Sequence, residues 1–217
     1  MDYTTIHAAH ELLAAYATEA ETPVYPSGIA SLDHALLGGF RKQSLYIVAA
    51  RPGEGKTSLV LSLIRRMAME HDTACLMLSL EMTKQELIER LICQATLTPL
   101  PALQVARKSG LLTDTLARLQ AQLATRWLHI EDLRGASIDD LEVLWQEFEG
   151  APRRPEVLVI DHLQQIPMPF GVSRSDALAG YMADLKRFVK QKELIGIICC
   201  QINREGGKLE LPSMANL

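Results

Sequence analysis

Ala50-Arg51-Pro52-Gly53-Glu54-Gly55-Lys56-Thr57 follows an apolar run, Ser44 to Ala50 (SLYIVAA), and opens a helical stretch from Lys56 to about Glu70. Strand, glycine-rich loop and helix in that order are the context that a phosphate-binding loop needs. The glycines let successive backbone N–H groups turn toward one point without a side-chain clash. The helix starts there, so its unpaired N–H groups and the positive end of its dipole face the same point. Lys56 supplies a mobile charge for the β- and γ-phosphates of a nucleotide, and Thr57 a hydroxyl for Mg²⁺. The candidate nucleotide contacts are thus Ala50, Arg51, Pro52, Gly53, Glu54, Gly55, Lys56, Thr57 and Ser58. The loop departs from the strict pattern at its first position, where Ala50 replaces glycine. The competing reading is a plain glycine turn in which Lys56 and Thr57 are incidental.

Three further polar residues stand at the ends of apolar runs. Val157-Leu158-Val159-Ile160 ends in Asp161, which suits an acid held near Mg²⁺ and makes Thr57 and Asp161 the candidate metal pair. Thr73 to Leu80 (TACLMLSL) is followed by Glu81, at the strand end where ligands sit in open α/β sheets. Glu81 is there a candidate base for an attacking water, or else an exposed neighbour of the next helix cap. Leu194 to Cys200 (LIGIICC) is followed by Gln201, whose amide suits contact with a γ-phosphate, or is simply a polar residue in a turn.

Outward from these sites a β–α rhythm fills the chain. Strands are expected at 44–50, 73–80, 127–131, 157–160 and 194–200. Helices are expected from Lys56 to about Glu70, from Thr83, near 113–125, over Ser137–Phe148 and from Asp176 to about Lys192. Thr83-Lys84-Gln85-Glu86 has capping-box spacing. Strands that read as unbroken apolar runs between helices indicate an α/β fold, a mostly parallel sheet covered on both faces. Ahead of it, Ile6, Ala9, Leu13 and Tyr16 or Ala17 recur at helical spacing over residues 4–20. Pro23 and Pro26 then forbid a helix. Residues 1–26 read as a helical arm and extended linker, and 27–217 as the main domain.

At 217 residues, 48% hydrophobic and 22% charged, the composition excludes disorder and a disulfide-stapled miniprotein. No apolar run approaches the ~20 residues that span a bilayer. No signal segment is visible, so a cytoplasmic protein without membrane contact is expected. The formal charge of −4 does not suit a dedicated duplex-DNA binder. Basic residues gather late: Arg174, Lys186, Arg187, Lys190, Lys192, Arg204 and Lys208, against five acids between 172 and 217. Cys75, Cys93, Cys199 and Cys200 form no C-x-x-C pair and read as free thiols, not a zinc site.

These motifs, in this order, resemble the ATPase domain of the DnaB family of replicative helicases, within the RecA-like group. The resemblance covers roughly residues 25–217. It begins at Ser27-Gly28-Ile29 and Leu32-Asp33 and runs through Leu37-Gly38-Gly39-Phe40 into the phosphate loop, where the family also has Ala followed by Arg-Pro. Ser79-Leu80-Glu81-Met82 matches the segment whose Glu is the family's catalytic base. Ile160-Asp161-His162-Leu163-Gln164 matches Asp-Tyr-Leu-Gln, with His162 in place of Tyr. Gln201-Ile202-Asn203-Arg204 matches Gln-Leu-Asn-Arg.

The resemblance implies a RecA-like P-loop ATPase core preceded by a linker helix that docks on a neighbouring subunit. It implies ATP and Mg²⁺, a homo-hexameric ring, single-stranded DNA as the track, and a helicase loader or primase as partner. It makes Lys56, Glu81 and Gln201 the catalytic set. The family's DNA-gripping loops correspond to 168–176, with Arg174, and 203–210, with Arg204 and Lys208. The family's N-terminal scaffold domain and everything after its Arg-Glu-Ser-Gly position, including the arginine finger that acts on a neighbour's ATP, have no counterpart. The strand at 44–50 is therefore expected at a sheet edge, in a piece of a longer protein or an intact short relative. The rival expectations are a module that binds ATP and a partner without efficient turnover, and a RecA-like regulatory or recombination ATPase that is not a helicase.

Overall fold

Four largely apolar runs and the mixed segment Leu128–Asp132 build one sheet, and the longer periodic stretches cover it. In the computed structural model, which describes residues 9, 10, 13, 22–133, 135–166 and 170–202, the strands are β1 (Ser44–Ala50), β2 (Cys75–Ser79), β3 (Leu128–Asp132), β4 (Val157–Asp161) and β5 (Ile195–Gln201). All four neighbouring pairs are parallel, in the order β1-β5-β4-β2-β3. β1 lies at the edge, as its sequence context predicts, with β5 as its one ladder partner among the described residues. β2 and β4 are buried at every position, because both faces are covered and no polar alternation is required.

Successive side chains of a strand point to opposite faces, and this divides the core in two. On one face Leu76, Leu78, Leu158, Ile160 and Ile198 pack with Trp145, Leu185, Phe188 and Val189. These last four belong to α6 (Ile138–Glu147) and α7 (Arg174–Gln191). On the other face Met77, Val159, Ile195 and Ile197 pack with Val60, Leu61, Ile64 and Met67 of α2 (Lys56–His71) and Leu87 of α3 (Lys84–Thr96). The sequence expectation of an α/β fold with a parallel sheet covered on both faces holds.

Boundaries differ in places. β2 ends at Ser79, so Leu80 and Glu81 lie past its ladder. α7 starts at Arg174 instead of Asp176, because Ser173 is its cap and accepts from Asp176 N. The sequence reading contains neither α1 (Ala30–Ala35) nor α4 (Leu100–Lys108), which precedes α5 (Thr113–Ala124). α4 is masked by Pro99 and Pro101, yet these occupy its N-cap and first turn, where proline is tolerated. Of the arm expected over 4–20, residues 9, 10 and 13 are described, and all three are helical. The expected linker meets the domain through a two-way bridge, Tyr25 N to Phe40 O and Phe40 N to Tyr25 O, both 2.8 Å. Gly39 permits that approach: its φ is +142°, and a Cβ would stand 2.4 Å from Tyr25 O.

Candidate functional site

Parallel strands end on one rim, so the residues that follow β1, β2, β4 and β5 converge there. The loop after β1 turns through Gly53 (φ +79°) and Gly55 (φ +89°), and a Cβ at either would meet nothing within 4 Å. The glycines thus answer to backbone conformation and leave an open cradle. Gly55 is also the N-cap of α2 and supplies no side-chain cap, so the helix presents its first N–H groups to the cradle. Glu54 holds the loop from within: Arg51 N donates to its Oε2 at 2.9 Å, and the two side chains pair at 3.9 Å. Lys56 Nζ donates to Ala50 O at 3.1 Å and Arg51 O at 3.3 Å.

Thr57, in the first turn of α2, donates its hydroxyl to Asp161 Oδ2 at 2.6 Å. Asp161 is only 4% exposed. Beneath it, burial first and Asp161's own charge second push the Cys199 thiol well above its ordinary range, so that neighbour stays neutral. Glu81 is exposed, but its Oε2 sits 3.0 Å from Nδ1 of the buried His162. Gln201 is held by its main chain: Gln201 N donates to Gln164 Oε1, and Gln164 Nε2 donates to Gln201 O, each at 3.0 Å.

These elements enclose a cavity of about 460 Å³ lined by Pro52, Gly53, Gly55, Lys56, Thr57, Ser58, Glu81, Met82, Glu86, Arg90, Asp161, His162 and Gln201. The sequence-predicted set is brought together there, apart from Ala50, Arg51 and Glu54, which shape the loop without lining the cavity. Arg174 lies elsewhere, in the first turn of α7 and not in a loop, with Nη2 donating to Gln164 O at 3.1 Å. It lines an adjoining cavity of about 700 Å³ that shares His162 and Gln201 with the first. Arg204 and Lys208 lie outside the described residues. Sequence reasoning gave no site role to Met82, Glu86, Arg90 or His162, all of which line the cavity. Glu86 and Arg90 are four apart on α3 and so share a face, but which face meets the phosphate loop is a tertiary fact.

The residues fit a nucleotide with Mg²⁺. The cradle is open at Gly53 and Gly55, the volume falls within the ~300–1,000 Å³ of ligand sites, and the Thr57 hydroxyl and Asp161 carboxylate stand together. Mg²⁺ is commonly held by one or two carboxylates with phosphate oxygens and water, not by an all-protein cage. Among the described residues no group of three or more His, Cys, Asp or Glu is placed to hold a metal, and none is long and apolar enough as a helix to cross a membrane.

The family model for the DnaB-like helicase C terminal domain matches residues 25–217. The replicative DNA helicase DnaB of Leifsonia xyli is 27% identical over 195 residues, 88% of this chain and 42% of that protein. That of Helicobacter pylori is 27% identical over 180 residues, 82% of this chain and 36% of that protein. The chain thus spans less than half the length of these curated relatives. A solved DnaB-like replicative helicase, described with its interactions with primase, superposes at a TM-score of 0.82 and 23% identity, covering 98% of this chain and 53% of that one. An ATPase domain superposes at 0.79 and 24% identity, covering 96% and 76%. At such identities the likeness is one of fold, and the fold is the RecA-like one.

Proposed function

Because the chain belongs to the family of DnaB-like helicase C-terminal domains, we propose that it is the ATP-hydrolysing unit of a replicative DNA helicase, working in a homo-hexameric ring that translocates on single-stranded DNA and separates the duplex. Residues 27–217 form the motor domain and 1–26 the arm. The observation that carries this reading is the Thr57–Asp161 contact at 2.6 Å beneath the open glycine loop. It joins a hydroxyl and a carboxylate of the kind that hold Mg²⁺ in phosphoryl transfer, in the wall of a cavity also lined by Glu81, Glu86 and the amide of Gln201.

The chain's residues divide the work. Backbone N–H groups of the loop and the start of α2 receive the phosphates. Lys56 leaves the carbonyls of Ala50 and Arg51 to meet the β- and γ-phosphates. Thr57 and Asp161 would hold Mg²⁺, which when bound neutralises charge developing on the phosphate oxygens. Glu81 orients the attacking water and accepts its proton, and His162 Nδ1 steadies the carboxylate. Gln201 contacts the γ-phosphate. Arg174, Arg204 and Lys208 are the DNA contacts proposed, with grip through phosphates more than bases, since aromatic residues make up only 5% of the chain. A loader or primase is the protein partner proposed.

Turnover measured with and without single-stranded DNA, followed by strand separation on a forked duplex in the full-length protein, tests the proposal. DNA-stimulated hydrolysis with unwinding supports it. Nucleotide binding without stimulated turnover indicates a binding module, and stimulated turnover without unwinding a regulatory or recombination ATPase.

A further inference from the structure

Gln201 extends past the point where β4 accompanies β5. The β4–β5 ladder stops at Ile160 and Ile198, whereas the β1–β5 ladder runs on to Ala50 and Gln201. On the β1 side the chain is anchored, since Ile202 N donates to Ala50 O at 3.1 Å. On the other side β4 has turned into the 3₁₀ turn Leu163–Gln165, and a single side chain takes the strand's place. The Gln164 amide donates to Gln201 O and accepts from Gln201 N, both at 3.0 Å. A primary amide offers a donor and an acceptor together, as a peptide group does. Gln164 does not line the nucleotide cavity, but Gln201 does.

We infer that Gln164 is a positioning residue for γ-phosphate recognition. Its amide replaces the missing β4 ladder and fixes the backbone from which Gln201 reaches the nucleotide cavity. The inference rests on the reading of Gln201 as the γ-phosphate contact.

The ratio of affinities for a non-hydrolysable ATP analogue and for ADP isolates the γ-phosphate, and calorimetry on the full chain with Mg²⁺ reads it without turnover. Gln201→Ala lowers the ratio several-fold. Gln164→Ala lowers it by a comparable factor at unchanged ADP affinity, and so does Gln164→Met, which keeps the length but loses the amide. In the Gln201→Ala background Gln164→Ala adds no more than about twofold, because the side chain it positions is already gone. Should Gln164→Ala fail to fold, Gln164→Met carries the test. Equal weakening of ADP and analogue, or an undiminished effect in the Gln201→Ala background, shows a general packing role and overturns the inference. A ratio moved by Gln201→Ala but by neither Gln164 variant overturns the inference alone. A ratio unmoved by Gln201→Ala overturns the Gln201 reading and the inference with it.

Discussion

Lys56 illustrates how a residue's role follows from what it does not pack against. Its ammonium rests on two loop carbonyls at the cavity wall, outside both hydrophobic clusters. Lys56→Ala is expected to abolish nucleotide binding while shifting stability by no more than ~0.5 kcal/mol, the scale of a substitution outside the core. Titration with an ATP analogue beside a thermal melt checks both halves. Glu81→Gln keeps shape but cannot take a proton. Nucleotide binding is expected to persist while turnover falls ~10²–10⁴-fold; normal turnover would move the base role to another acid. Loop residues were legible because local backbone chemistry dictates them: glycine for positive φ, a hydroxyl and an ammonium at the start of a helix. His162 beside Glu81 and Arg90 across the cavity were not, because their meeting with the loop depends on how β4 and α3 are packed. Arg174 fell in the wrong setting for a smaller reason: Ser173 caps two residues earlier than Asp176 suggests.

At the scale of elements, caps and close approaches carry the tests. Ser137 accepts from Asp140 N, and Asp140 accepts in return from Ser137 N, closing the start of α6 with two residues that do not line the nucleotide cavity. Ser137→Ala is expected to cost ~1 kcal/mol, read as a lower urea midpoint with unchanged nucleotide affinity. Gly196 lies where β5 meets its neighbours. A Cβ there would stand 2.5 Å from Leu45 Cδ1 and 2.9 Å from Val189 Cγ2. Gly196→Ala is expected to cost more, ~1–3 kcal/mol, as overpacking does. Strands and most helices were legible from apolar runs and cap spacing. α4 was hidden by Pro99 and Pro101, which look like breakers until their place in the first turn is known. The strand order was not legible from periodicity at all: β2 and β4 are buried at every position, β1 and β3 only partly, and no strand's pattern advertises its neighbour.

Across the whole molecule, cysteine chemistry offers a global probe. Cys75, Cys199 and Cys200 are buried and Cys93 is partly exposed. Burial raises all four thiols, Cys200 to about 11 even with the Lys56 charge acting in the opposite direction. At pH 8 an alkylating reagent is expected to label Cys93 first and the other three only on unfolding, which mass spectrometry resolves. Above ~8.5, where an unfolded thiol ionises, the unfolded chain releases protons that the folded chain retains. Stability contributed by the three buried thiols is complete below that point and falls as pH rises toward the folded values, by up to ~1.4 kcal/mol per pH unit for each of them. The sheet order has a consequence for assembly in time. β1, which delivers the phosphate loop, has only β5 beside it among the described residues, and at their junction Gln43 meets Glu193 across 150 residues of chain. During synthesis the loop is therefore expected to emerge early and to lack the ladder partner of its strand until β5 has left the ribosome. Contacts so distant in sequence form slowly, so nucleotide protection against protease is expected to appear only in nascent chains that extend beyond Gln201.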